Sequence, residues 1–153
     1  MKIRKMEITD YDKVYKFWLS IPGMGLNNSD DNRKSIEKYL IRNPTTNFIA
    51  ESYSGEIIGA ILSGHDGRRG HISHTAVKPA ERKKGVGTAL VKAALDALSI
   101  EGISKVTLVT FTKNEAGNAF WEGQGFLTSE DVIYRSKVIN NNLIYEKNIY
   151  LDT

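Results

Sequence analysis

One segment constrains this chain more than any other. Val77-Lys78-Pro79-Ala80-Glu81-Arg82-Lys83-Lys84-Gly85-Val86-Gly87-Thr88-Ala89-Leu90 carries an apolar strand end into a basic, glycine-punctuated turn and then into an amphipathic helix. A helix N-terminus leaves backbone N–H groups unpaired and carries partial positive charge, which makes it an anion site. Gly85 and Gly87 remove side chains that would hold a phosphate away from those groups. Three consecutive cations, Arg82 to Lys84, are unfavourable beside a bare helix N-terminus and become favourable once a polyphosphate sits there. The competing reading is a solvated basic turn before an ordinary helix.

Two familiar phosphate loops fit poorly. Leu90 stands where the third glycine of a dinucleotide fingerprint belongs, and Gly87-Thr88-Ala89 lacks the lysine of a Walker loop. The spacing Arg82-x-x-Gly85-x-Gly87 instead resembles the coenzyme-A pyrophosphate loop of the GNAT superfamily of N-acetyltransferases. A second block, Asn114-Glu115-Ala116-Gly117-Asn118-Ala119-Phe120-Trp121-Glu122-Gly123-Gln124-Gly125-Phe126, resembles that family's later motif. There an asparagine precedes a helix with an aromatic pair, and Gly-Phe follows. The two blocks have the family's order, with one helix and one strand between them.

A chain of 153 residues is long enough for one domain with its own core, so residues 1–153 are expected to form a single N-acetyltransferase domain. Charged residues at 25% and hydrophobic residues at 41% are ordinary for a globular protein. No run reaches the length of a membrane span, and Met1-Lys2-Ile3-Arg4 leads into a strand-like pattern rather than a signal peptide, which fits a cytoplasmic protein. The absence of cysteine removes disulfides, thiolate metal sites and a catalytic thiol. A net charge of +3 favours polyanionic ligands without amounting to a nucleic-acid signature.

Along the chain, Ile3, Met6 and Ile8 suggest a first strand. Asp10 is placed to cap a helix with Val14, Phe17, Trp18 and Leu19 on one stripe. Ile21 to Asn28 reads as a loop. Ser29, Asp30 and Asp31 are alternative caps for a second helix with Ile36, Tyr39, Leu40 and Ile41 apolar, stopped by Asn43-Pro44. Phe48 to Ala50 and Ile57 to Leu62 read as strands around a Ser54-Gly55 turn, and His71 to Val77 as a strand after a polar turn. The helix after Gly85 places Val86, Leu90, Ala93, Ala94, Ala97 and Leu98 on its core stripe and ends near Gly102. Val106 to Val109 has the β-branched look of a buried strand, a helix spans about Ala116 to Glu122, and Val132 to Tyr134 and Leu143 to Tyr145 give two last strands. The unit from His71 to Val109 implies a parallel strand pair and the hairpins imply antiparallel ones. The expected fold is α/β: a GNAT-like mixed, mostly antiparallel sheet with a central parallel pair and flanking helices.

The resemblance implies acetyl-CoA as co-substrate and an amine as acceptor, with no membrane partner and a homodimer allowed. It assigns the backbone of Thr75, Ala76 and Val77 to the pantetheine arm, and Arg82, Lys83, Lys84, Gly85, Val86, Gly87 and Thr88 to the pyrophosphate. Asn114 is assigned to the cofactor, a role compatible with that of a helix cap. Where the family commonly has a tyrosine that protonates the departing thiolate, this chain has Trp121, whose indole N–H donates a hydrogen bond but is no general acid. Trp121 is thus a cofactor contact or simple core packing. His71 stands where some members place a basic glutamate, and an imidazole accepts a proton near neutral pH; the alternative is an ordinary strand histidine. His74 would face the other way unless a bulge intervenes. His65, His71 and His74 cluster, but only Asp66 supports them as a carboxylate, so no metal is expected. The family's acceptor region maps to Ile21 to Asp31 and Glu130 to Arg135, where Asp30, Asp31, Glu130 and Asp131 are either attractors of a cationic amine or exposed caps and turn charges. Direct transfer to a primary amine is expected, since no nucleophile constellation is present. The rival reading is a CoA-binding sensor or interaction domain with weak catalysis.

Overall fold

One strand, its alternation shifted by a residue at a bulge against its neighbour, feeds two cores. In β3 (Ile57–His65), Ile57, Ala60 and Leu62 join one apolar cluster while Ile58 and Ile61 join another. Such a strand must lie between helices on both faces of its sheet. The computed structural model describes residues 1–145. Around β3 it arranges β1 (Lys2–Lys5), β2 (Phe48–Glu51), β4 (Gly70–Val77) and β5 (Val106–Thr107) as one five-stranded sheet in the order β1-β2-β3-β4-β5. All pairings are antiparallel except β4 with β5. The mixed, mostly antiparallel α/β architecture expected from the sequence is the one observed.

Helices α1 (Tyr11–Leu19) and α2 (Arg33–Arg42) contribute Val14, Phe17, Trp18, Ile36 and Leu40 to the first core. Helix α3 (Val86–Ile100) carries the crossover that a parallel pair requires, and packs Val86, Leu90, Val91 and Ala94 into the second. Trp121 of α4 (Glu115–Gly123) closes that core. Each fully buried aliphatic side chain contributes roughly 1.5–3 kcal/mol, so the sheet is clamped from both sides.

Several local expectations need correction. Leu19 and Ile41 sit on the last turns of their helices and are 55% and 73% exposed, outside the core stripes. The cap of α2 is Asn32, whose side chain accepts from Ser35 N at 2.9 Å, rather than Ser29, Asp30 or Asp31. Asp10 precedes α1, but its carboxylate accepts from Glu7 N and Arg4 instead of capping. Among the described residues only Val106–Thr107 of this segment pairs as a strand, with β4, and residues 106–109 are half-buried or exposed rather than buried. Val132, Ile133 and Tyr134 are exposed and pair with no strand among the described residues. Tyr145 instead bridges to Asn27, and Asn28 N donates to Ile144 O at 3.0 Å.

Candidate active site

The parallel pair is short and its strands are unequal. Gly70 and His71 of β4 pair with Val106 and Thr107 of β5, after which β5 ends and β4 continues to Val77. From Ile72 onward the β5-facing edge of β4 has no strand beside it among the described residues. Thr75, Ala76 and Val77 lie on that open edge, whose backbone groups, Val77 O with its bond from Arg82 apart, need a partner or water.

A bulge interrupts the same stretch. Between Ala60↔Ala76 and Leu62↔Ser73 the strand β4 carries one residue more than β3, and His74 has φ 46°. A non-glycine residue in that region costs on the order of 1–3 kcal/mol and persists only when its surroundings hold it. Here the holding contacts are explicit. His74 Nε2 lies 2.7 Å from Asp31 Oδ1, and the His74 ring meets Trp18 edge-on at 5.0 Å. The Asp31 side chain is only 4% exposed, and its second oxygen accepts from Asn27 N at 2.8 Å. His74 is thus turned by the bulge against α1 and the loop before α2.

At the open end of β4, the turn to α3 builds a cluster of donors. Gly85 is the N-cap of α3 with φ 86°, a conformation that strains side-chain-bearing residues, and Lys83 also lies in the left-handed region at φ 63°. The first helical bond is Ala89 N to Gly85 O, so the N–H groups of Val86, Gly87 and Thr88 have no partner among the described residues. No side chain caps them. Arg82, Lys83 and Lys84 are exposed beside them. Arg82 Nε donates to Val77 O at 3.2 Å, tying the basic turn to the strand end, and Lys84 makes an exposed ion pair with Glu81 at 3.3 Å. Gly87 has a second duty: a Cβ there would lie 3.0 Å from the Phe120 ring, so its absence lets α4 approach the first turn of α3.

The second motif block packs beside this turn. Asn114 caps α4, its Oδ1 accepting from Gly117 N at 2.9 Å, which leaves its amide N–H₂ uncommitted. Asn118 donates to Phe111 O and Asn114 O, a brace that carries no strong signal in the sequence. Gln124 Nε2 reaches Thr88 Oγ1 at 3.0 Å and joins the end of α4 to the start of α3. Trp121 is 8% exposed and packs edge-on against Phe120 and Phe126 at 5.0 and 5.2 Å. Trp121 therefore packs into the second core.

His71 lies where β4 and β5 meet. Its Nδ1 is 3.5 Å from Thr107 Oγ1, long for a hydrogen bond, and partial desolvation pushes its pKa below the ordinary histidine value. The ring is therefore the neutral, proton-accepting form at physiological pH. His71, Ser73 and Thr107 line a pocket of about 500 Å³ with Tyr39, Arg42 and Asn43 from the end of α2 and the β3–β4 turn. His74 is not among its walls. Asp31, for which attraction of an amine is one of two readings, is buried and spent on His74 and Asn27, while Glu130 and Asp131 are exposed outside any helix or strand. Among the described residues no three His, Asp or Glu side chains are grouped to hold a metal, and no helix is long and apolar enough to cross a membrane.

Comparison with known proteins bears on the same segments. The sequence pattern of the acetyltransferase (GNAT) family matches residues 11–126. An acetyltransferase of Photorhabdus laumondii is 29% identical over 151 residues, covering 96% of this chain and 99% of that one. Among solved structures, Ard1 from Thermoplasma volcanium superposes with a TM-score of 0.70 at 22% identity, over 84% of this chain and 83% of that one. A Mycobacterium tuberculosis protein solved in complex with CoA gives a TM-score of 0.68 at 20% identity, over 85% and 74% of the two chains.

Proposed function

This chain belongs to the acetyltransferase (GNAT) family, and from that premise we propose that it acts as a single-domain enzyme moving the acetyl group of acetyl-CoA directly to a primary amine. One observation carries the reading. The open edge of β4 runs without interruption into a turn where unpaired N–H groups of α3 meet three exposed cations. An extended arm ending in a pyrophosphate fits that sequence of features: hydrogen bonds along the strand first, then anion contacts at the helix.

The backbone of Thr75, Ala76 and Val77 pairs with the pantetheine arm. Arg82, Lys83 and Lys84, with the N–H groups from Gly85 to Thr88, hold the pyrophosphate. Asn114 offers its free amide N–H₂ from the neighbouring helix end. His71 takes one proton from the incoming ammonium, since an unperturbed alkylamine near pKa 10.4 is almost fully charged at neutral pH. The neutral nitrogen then attacks the thioester carbonyl and the C–S bond breaks. The second N–H proton, shed as the amide forms, neutralises the leaving thiolate. This balance needs no acid at Trp121, in accord with its burial.

The test is release of free CoA thiol from acetyl-CoA with and without a broad panel of primary amines. Amine-dependent release well above the amine-free rate is expected. Saturable acetyl-CoA binding with no amine-dependent release would instead support a CoA-binding sensor.

A further inference from the structure

The pocket beside His71 has an uneven chemistry: its spare hydrogen-bonding capacity is strongly weighted toward donors. The guanidinium groups of Arg42 and Arg69 have no ion pair or hydrogen bond among the described residues, and neither does the Tyr39 hydroxyl. His65 Nδ1 accepts from Gly67 N at 3.0 Å, so the ring proton of the neutral form lies on Nε2. The nearby acceptors are largely committed. Asn43 Oδ1 accepts from His65 N at 3.0 Å. Asp66 Oδ1 accepts from Arg68 N and Arg69 N at 2.8 Å each, and these backbone bonds, that of Arg69 first, hold the carboxyl below its usual range. With two arginines against one aspartate, the wall is net cationic.

The walls are also fixed in place. A Cβ on Gly64 would lie 2.6 Å from both the Tyr39 hydroxyl and the Asn43 side chain, so only glycine lets α2 approach β3 here. Buried bonds behind it, Ser63 N to Asn47 Oδ1 at 2.8 Å and Asn47 Nδ2 to Asn43 O at 2.9 Å, tie the end of α2 to the strand. Such a donor set, held by a rigid backbone, suits a carboxylate or phosphate, which guanidinium groups bind through paired N–H···O contacts.

We infer that this pocket is the acceptor subsite and that it selects an amine also bearing a carboxylate or a phosphate, with Arg42 and Arg69 reading the anionic end and His71 facing the nitrogen. The assignment rests on the acetyl-transfer reading above. It differs from the alternative in which acidic residues draw a purely cationic amine.

The test compares matched pairs at equal free-amine concentration: β-alanine against β-alaninamide, and phosphoethanolamine against ethanolamine. Wild-type chain and an Arg42→Gln/Arg69→Gln variant are assayed for thiol release, and acetyl-CoA affinity is followed by calorimetry in both. For at least one pair the anionic member is expected to exceed its neutral twin in kcat/KM by about tenfold or more, and the pair that responds distinguishes carboxylate from phosphate. In the double variant that preference falls below about twofold, with acetyl-CoA affinity unchanged. Both arginines are exposed and unpaired, and their single variants serve if the double variant is poorly folded. Equal rates within both wild-type pairs overturn the subsite while the transfer reading stands, as does a preference that survives in the variants. Failure of the wild-type chain to bind acetyl-CoA overturns the transfer reading itself, and the subsite with it.

Discussion

A Gly85→Val variant is expected to bind acetyl-CoA about a hundredfold more weakly than the wild-type chain while its Tm falls by only a few degrees. Gly85 sits at φ 86° at the N-cap of α3, and a β-branched residue there is a steric outlier costing roughly 1–3 kcal/mol. The turn is exposed, and a Cβ at Gly85 meets no neighbour within 4 Å, so the backbone can relax and shed most of that strain. Relaxation re-aims the N–H groups of Val86, Gly87 and Thr88. Hydrogen bonds to a charged group are worth about 1.5–3 kcal/mol each, so losing two accounts for the expected effect. Position 85 is a cleaner probe than position 87, where a side chain would also push on Phe120. Calorimetry beside a thermal melt separates the two quantities. Unchanged affinity in a folded Gly85→Val protein would remove the turn from the cofactor site.

The second large effect concerns His71. Replacing it with alanine is expected to lower kcat by about 10²- to 10⁴-fold, the range for removal of one acid–base group. Its direction with pH is also set. Desolvation lowers the His71 pKa, so as pH falls the ring stays neutral below the usual histidine midpoint near 6.5. The acid limb of the wild-type kcat–pH profile therefore lies below pH 6.5 and is absent in His71→Ala, while acetyl-CoA affinity is retained. An acid limb that persists unaltered in the variant would place the base elsewhere, with His74 the first alternative to examine.

Much of this architecture is legible in the sequence because its signals are local. The turn into α3 announces itself through Gly85 and a run of cations, and α4 through Asn114, whose capping bond spans three residues. Strands β3 and β4 show as apolar runs between glycine-rich turns. What escapes the sequence is set by distance along the chain. The bulge at His74 depends on Asp31, 43 residues earlier, and no local pattern links them. The donor-lined pocket joins the end of α2 to the β3–β4 turn and to Thr107 of β5, three segments that meet only in the fold. Leu19 and Ile41 face water because each stands one residue, about 100° round the helix, beyond the last buried position of its stripe, Trp18 in α1 and Leu40 in α2. At Trp121 motif position alone leaves cofactor contact and core packing open, and the packing of its ring against Phe120 and Phe126 shows only in the fold.

The central claim is that the open strand edge and the bare N-terminus of α3 form an acetyl-CoA site. Calorimetric titration of the wild-type chain with acetyl-CoA, with NADH and ATP as controls, tests it most directly. The account predicts saturable binding of one acetyl-CoA per chain, with neither control matching it, because only acetyl-CoA presents both a pyrophosphate to the helix and an extended arm to β4. Absence of acetyl-CoA binding, or equal binding of all three ligands, would contradict it.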